Sequence, residues 1–179
     1  MSKSGSDGGR EFFVTGVGTY VEVDDAMTEF RSLVQQKCRT VVRGRLEEIN
    51  QACGMHWRAN DLNDYLQKTN DHLFLGEQLE VKGLGGLYFC LRLSRKDVGG
   101  RFGASAFLYR MRRDLATSLW DRFASISEVS YNRSNIVFVQ HFSEENILDF
   151  ENYLEKAITD LIAFISDSGG LEKYLVQGS

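Results

Sequence analysis

The residues of this chain that could do chemistry by type and spacing lie in Glu80-Val81-Lys82, within the run "GEQLEVKGLGGLYFCLRLS". A glutamate and a lysine two apart on a strand project from the same face. A Mg²⁺-dependent nuclease needs that pairing: carboxylates hold the metal, and the lysine positions water and stabilises charge on the phosphate. Asp71 and Asp64 lie upstream as partner ligands, and Glu47 or Glu48 could come from a preceding helix. The same pattern is also how a half-exposed strand is written, because Glu80 and Lys82 alternate with Leu79 and Val81. The sequence favours this solvated face over catalysis, and no metal or cofactor is expected.

A second group is basic. Arg92, Arg95, Lys96, Arg101, Arg110, Arg112 and Arg113 stand against Asp97 and Asp114, with Phe102 and Tyr109 interleaved. Such a patch could bind phosphates or an acidic protein surface. It could equally pair with the acidic C-terminal third of the same molecule. Arg95, Arg101, Arg110, Arg112, Arg113, Phe102 and Tyr109 are the candidate binding residues, with arginine and aromatic types suited to a protein interface. A net charge of −4 and a pI near 5.4 argue against non-specific coating of nucleic acid. His56, His72 and His141 are isolated and read as structural. Cys38, Cys53 and Cys90 are odd in number and widely spaced, with no C-x-x-C pair, and read as buried, inert thiols in a reducing cytoplasm. Nothing matches a nucleophile elbow, a P-loop or a dinucleotide fingerprint.

The elements that would position these residues follow from periodicity. "MSKSGSDGGR" is polar and glycine-rich, lacks a signal-peptide core and is expected to be a disordered tail over residues 1–10. "EFFVTGVGTYVEV" is rich in β-branched and aromatic residues and reads as a strand with a bulge at Gly16 and Gly18. Asp24 or Asp25 would cap a helix reaching Cys53, with Phe30, Val34, Cys38, Val41, Ile49 and Cys53 on its apolar side and Gly54 ending it. "WRANDLNDYLQKTND" reads as a short helix and turn. From His72 the period becomes two, then Gly83–Gly86 turns the chain into a strand with Leu87, Phe89, Leu91 and Leu93 inward. A strand at "ASAFLYRM", a helix from Arg112 and a strand at "NIVFVQHF" follow. Ser143 would cap a last helix built on Ile147, Phe150, Leu154, Ile158, Leu161 and Ile165. The chain has no proline, so turns fall to Gly, Asn, Asp and Ser.

Two resemblances follow from these motifs. The order of a helix and two strands around Glu80-Val81-Lys82 resembles the start of the PD-(D/E)XK nuclease superfamily. That resemblance implies Glu80, Lys82 and Asp71 as catalytic residues. The sequence departs from the superfamily where Gly83-Leu84-Gly85-Gly86 turns into a strand rather than a helix, and no P-D dipeptide is present. The run from about Gly85 to Leu171, "GGLYFCLRLS…LYRMRRDLATSLWDRF…NIVFVQHFSEENILDFENYLEKAITDLIAFI", is similar in pattern to accessory domains attached to such nucleases in bacterial defence and restriction systems. It implies no catalytic residue.

The expectation is therefore an α+β fold: a mainly antiparallel sheet of about five strands with two long amphipathic helices packed on one face, forming a single domain over residues 11–179. The expected function is a non-catalytic binding or regulatory module of bacterial or phage origin. It would be cytoplasmic, would not span a membrane, and would act through a protein partner or self-association. The alternatives are a Mg²⁺-dependent nuclease and a nucleic-acid-binding module using the Arg92–Arg113 patch.

Overall fold

The structure is a computed structural model that describes residues 7–69, 71–81, 85–94, 102–109, 129–132 and 135–171. Helix α1 spans Asp7–Gly44 and α2 spans Leu46–Cys53. The chain divides into two compact units, Met1–Leu33 and Val34–Ser179, with the boundary inside α1. A 3-10 turn at Ala59–Asp61 leads to strands β1 (Asn63–Lys68), β2 (His72–Val81), β3 (Gly85–Ser94), β4 (Phe102–Tyr109), β5 (Val129–Asn132) and β6 (Asn135–Phe142). A second 3-10 turn, Glu144–Asp149, precedes α3, Phe150–Asp167.

The second unit holds a six-stranded sheet in the order β1-β2-β3-β4-β6-β5, with every neighbouring pair antiparallel. The expected α+β architecture is what the structure shows. Alternation sends Leu75, Leu79, Leu87, Phe89, Leu91, Ala104, Ala106, Leu108, Ile136 and Phe138 to one face, where all are buried. The helices cover that face. From α1 come Val34, Cys38, Val41 and Val42, from α2 Ile49 and Cys53, and from α3 Phe150, Leu154, Ile158, Leu161 and Ile165. Arg45 holds Glu48 through two hydrogen bonds of 2.7 Å and donates to Thr159 Oγ1 at 3.2 Å, which ties α2 to α3.

Several expectations are corrected. "EFFVTGVGTYVEV" is helical, and α1 begins at Asp7, inside the residues expected to be a disordered tail. Phe13, Tyr20, Met27, Val34 and Val41 recur every seven residues, a helical period that outweighs the local β-propensity of Val and Thr. No helix starts at Asp24 or Asp25. The long helix is interrupted after Gly44, where the apolar spacing lapses between Val41 and Ile49, and Gly54 (φ 70°) closes α2 as expected. "WRANDLNDYLQKTND" gives the 3-10 turn and edge strand β1, in which half-buried Tyr65 and Gln67 alternate with exposed Asp64, Leu66 and Lys68 along the pairing to β2. Ser143 caps no α-helix. Its side chain makes no capping bond, and the α-helix starts seven residues later at Phe150. The helix expected from Arg112 lies outside the described residues.

All three cysteines are free and buried. Burial pushes the Cys53 thiol up to about 12 and raises those of Cys38 and Cys90 above their ordinary range. The native protein is therefore expected to take up no thiol reagent at pH 8 and three equivalents in denaturant, read by the absorbance of the released chromophore.

Candidate functional site

The structure separates the proposed nuclease residues. Glu80 is exposed near the end of β2, on the sheet face opposite the helices, and its carbonyl accepts from Trp57 Nε1 at 3.0 Å. Asp71 lies just before the other end of β2, about 30 Å away at 3.3 Å per residue. Asp64 stands on the helix-side face of β1, directly across from Glu77. Lys82 lies outside the described residues. Among the described residues no group of three His, Cys, Asp or Glu side chains could hold a metal ion. Glu80→Ala is expected to change stability by less than about 0.5 kcal/mol and to leave a Mg²⁺ titration without heat in either protein, as calorimetry would show.

Of the basic patch, Arg95, Arg101, Arg110, Arg112 and Arg113 lie outside the described residues. Phe102 is half-buried in β4 and stacks on Phe142 at 5.9 Å, on the helix-side face, so it belongs to packing there. Tyr109 ends β4 opposite Asn135. Arg92 is half-buried on the other face, with Nη2 2.6 Å from His72 Nε2. Beside it, Tyr65, Tyr88, Phe107 and Phe74 form a ring cluster with neighbouring centroids 4.5–6.2 Å apart. Tyr65 also donates to Gln67.

One polar site escaped the sequence reading. Glu77 is fully buried on the helix side of β2, and Arg39 of α1 reaches it with Nη2 2.9 Å from Oε1 and 3.1 Å from Oε2. Only the longer contact is directed as a hydrogen bond, so Oε1 is paired through charge alone. Arg39 also holds Asp64 at 2.6 Å. Burial raises the Glu77 carboxyl above its usual range, Arg39 opposes that, and the neighbouring Asp64 adds to the rise. Two carboxylates share one guanidinium between helix and sheet, the Glu77 carboxylate buried and the Asp64 carboxylate open to water. The site fastens α1 to β1 and β2. Glu77 sits among Leu75, Leu79 and Val81 at period two, and an acidic residue in an inward register was the available signal.

A cleft of about 580 Å³ opens between the C-terminal ends of α2 and α3, lined by Gln51, Cys53, Gly54, Ser166 and Gly170 with Glu48 at its side. Arg45 neutralises Glu48, and burial leaves the Cys53 thiol unactivated, so among the described residues the cleft's Glu48 and Cys53 are not set up for chemistry.

The first unit presents a different surface. Val17, Tyr20, Val21, Val23 and Leu33 are 48, 72, 50, 56 and 51% exposed. Phe13, Gly16, Tyr20, Val23, Met27 and Phe30 occupy the a and d positions of three heptads, and of these Met27 and Phe30 are half-buried. Gly16 and Gly18 have nothing within 4 Å of where a Cβ would stand. Gly and β-branched residues weaken a helix, Gly by about 1 kcal/mol each relative to Ala. A segment so composed gains its helical stability from packing its apolar face. The seven-residue recurrence was legible in the sequence, but the β-branched composition masked it. The chain matches no protein-family model, and no curated protein or solved structure matches it.

Proposed function

We propose that the chain is a non-catalytic binding module that works through protein contacts made by the helical segment before Leu33. The observation that carries this is the exposed apolar stripe on a helix whose own residues favour it poorly. Valines and a tyrosine on one stretch of helix are what an unpaired interface presents, whereas single exposed apolar residues elsewhere need no explanation. The buried Arg39–Glu77 pair supports the second unit as a scaffold rather than a reaction centre. A bacterial or phage origin beside a defence nuclease is the setting that the pattern of Gly85–Leu171 suggests.

The test compares tagged wild type with Tyr20→Asp/Val23→Asp, each isolated from its native cells and weighed by native mass spectrometry. The wild type is expected in a complex of defined stoichiometry, with itself or another protein, that the double variant loses while its circular dichroism keeps the sheet signal. Monomers of 20.4 kDa in both preparations would overturn the reading.

A further inference from the structure

We infer that the outer edge of β1 is a contact surface separate from the helical stripe, and that its occupant is β1 of a second copy of the chain. The two strands run antiparallel about a two-fold axis at Leu66 and join the two sheets edge to edge.

The backbone leaves this edge open. β1 is the terminal strand of the sheet and, among the described residues, pairs with β2 alone. The Thr69 N–H donates to the carbonyl of His72, the residue directly opposite it, at 2.8 Å. In an antiparallel ladder, opposite residues exchange hydrogen bonds at every second pair. Gln67 and Tyr65 therefore turn their backbone groups to β2, and Asp64, Leu66 and Lys68 turn theirs outward. A strand added at that edge bonds through these outward residues.

Edge strands are commonly protected by a charge that makes self-pairing unfavourable. In one register the charges of β1 give no such protection. With Leu66 opposite the partner's Leu66, Asp64 stands opposite the partner's Lys68, and Lys68 opposite the partner's Asp64. All three side chains lie on the helix-side face and are exposed, Leu66 at 51% and the Asp64 side chain at 64%. On the other face Tyr65 stands opposite the partner's Gln67. The same patch serves both copies, as an isologous two-fold interface requires. Centring the pair at Tyr65 or Gln67 sets Leu66 against a charge, and centring it at Asp64 or Lys68 sets like charges opposite each other. Asp61 and Asp71 lie in the turns that bound β1, outside this ladder.

The charge within each copy fits the same register. The cluster of Glu77, Asp64 and Arg39 holds one carboxylate more than it holds guanidinium, and Asp64 is the carboxylate open to water. Lys68 has no ion-pair partner among the described residues. The partner's Lys68 supplies the second cation at Asp64. A pair of six-residue strands buries little area, so association is expected to be weak, on the order of 100 µM.

The test uses the full chain carrying Tyr20→Asp/Val23→Asp, so that any dimer arises elsewhere than in the helical stripe. Sedimentation equilibrium up to about 0.5 mM is expected to show a dimer. Lys68→Asp should weaken it about ten-fold or more without moving the thermal melt, because like charges then face each other at both ends of the ladder. Leu66→Cys is expected to form an intermolecular disulfide with copper phenanthroline, since opposite bonded residues have Cα atoms about 5.5 Å apart. Asn63→Cys should not, because its two copies lie about 20 Å apart along the strands. Cys38, Cys53 and Cys90 are buried and stay silent. Equal disulfide yields at both positions, or a dimer indifferent to Lys68→Asp, would overturn β1 as the contact. A monomer throughout would overturn the second copy as occupant and leave the edge to a strand of another protein. Neither result touches the helical stripe, whose test is the complex isolated from cells.

Discussion

Arg39→Ala is expected to lower the stability of the sheet unit by about 3 kcal/mol at pH 8, measured by urea denaturation. Breaking a buried ion pair by removing one partner typically costs about 3–5 kcal/mol, because the other charge stays buried and uncompensated. Glu77 is fully buried, so its carboxylate carries that cost, while the Arg39 side chain is 36% exposed and water reaches its side of the pair, which sets the lower end of the range. The loss should shrink as pH falls, because a protonated Glu77 no longer needs the guanidinium. The wild type should show the same dependence in weaker form. The native carboxyl holds its proton to higher pH than the unfolded chain does, because burial raises it. Between the ordinary carboxylate range and that raised value the folded state binds more protons, so stability falls as pH rises through the window. Glu77→Gln should flatten this slope. Arg39→Met/Glu77→Leu should recover most of what Arg39→Ala loses, since an apolar pair of similar volume replaces a desolvated ionic one. Asp64→Asn, at a side chain 64% exposed, should cost less than about 1 kcal/mol. If Arg39→Ala unfolds at the wild-type urea concentration at pH 8, the pair does not fasten α1 to the sheet.

The parts of this fold that were legible share a property: their periodicity agrees with their composition. In β2 and β3, Leu75, Leu79, Leu87, Phe89 and Leu91 alternate with polar or small residues and also favour strands, so pattern and propensity point the same way. In α3 the steps between Phe150, Leu154, Ile158, Leu161 and Ile165 are helical, and so are the residues between them. The misread segments set these signals against each other. Residues 11–23 are composed as a strand but spaced as a helix, and the helix of Asp7–Gly44 follows the spacing. β1 is short and polar, and its partner β2 supplies the pairing that fixes it as a strand. Ser143 has a capping residue's chemistry, but the chain makes a 3-10 turn first, and no local rule places that turn. At the site level, Glu80 was visible because it resembled a motif. Glu77, three residues earlier, has the more consequential environment, yet only the partner reaching down from α1 reveals it.

Gly76→Ala is expected to be among the most damaging single changes in the sheet. The residue lies in β2 between Tyr65 of β1 and Cys90 of β3. A Cβ at this position would stand 2.0 Å from the carbonyl oxygen of Phe89, 2.6 Å from the Cα of Cys90 and 2.8 Å from its Cβ. Two of those three atoms are backbone, so no rotamer change relieves the contact and the two central strands must part. A glycine inside a strand often marks such a close approach of another chain segment. Forcing extra volume into a packed interior commonly costs about 1–3 kcal/mol and sometimes more, and the backbone contacts place this case at or above about 3 kcal/mol. For a chain of this length that lowers the melting temperature by about 6–12 °C in calorimetry. Gly18→Ala is the matched control, because nothing lies within 4 Å of its Cβ direction and it sits on α1 at an f position, away from the apolar stripe. There the methyl group should add helix propensity, up to about 1 kcal/mol, seen as deeper ellipticity at 222 nm. The same substitution should thus have opposite signs at two glycines of one chain, because Gly76 is required by the space between strands and Gly18 is not. Equal melting temperatures for wild type and Gly76→Ala would mean that β2 and β3 have slack at Gly76, against the close approach of their backbones.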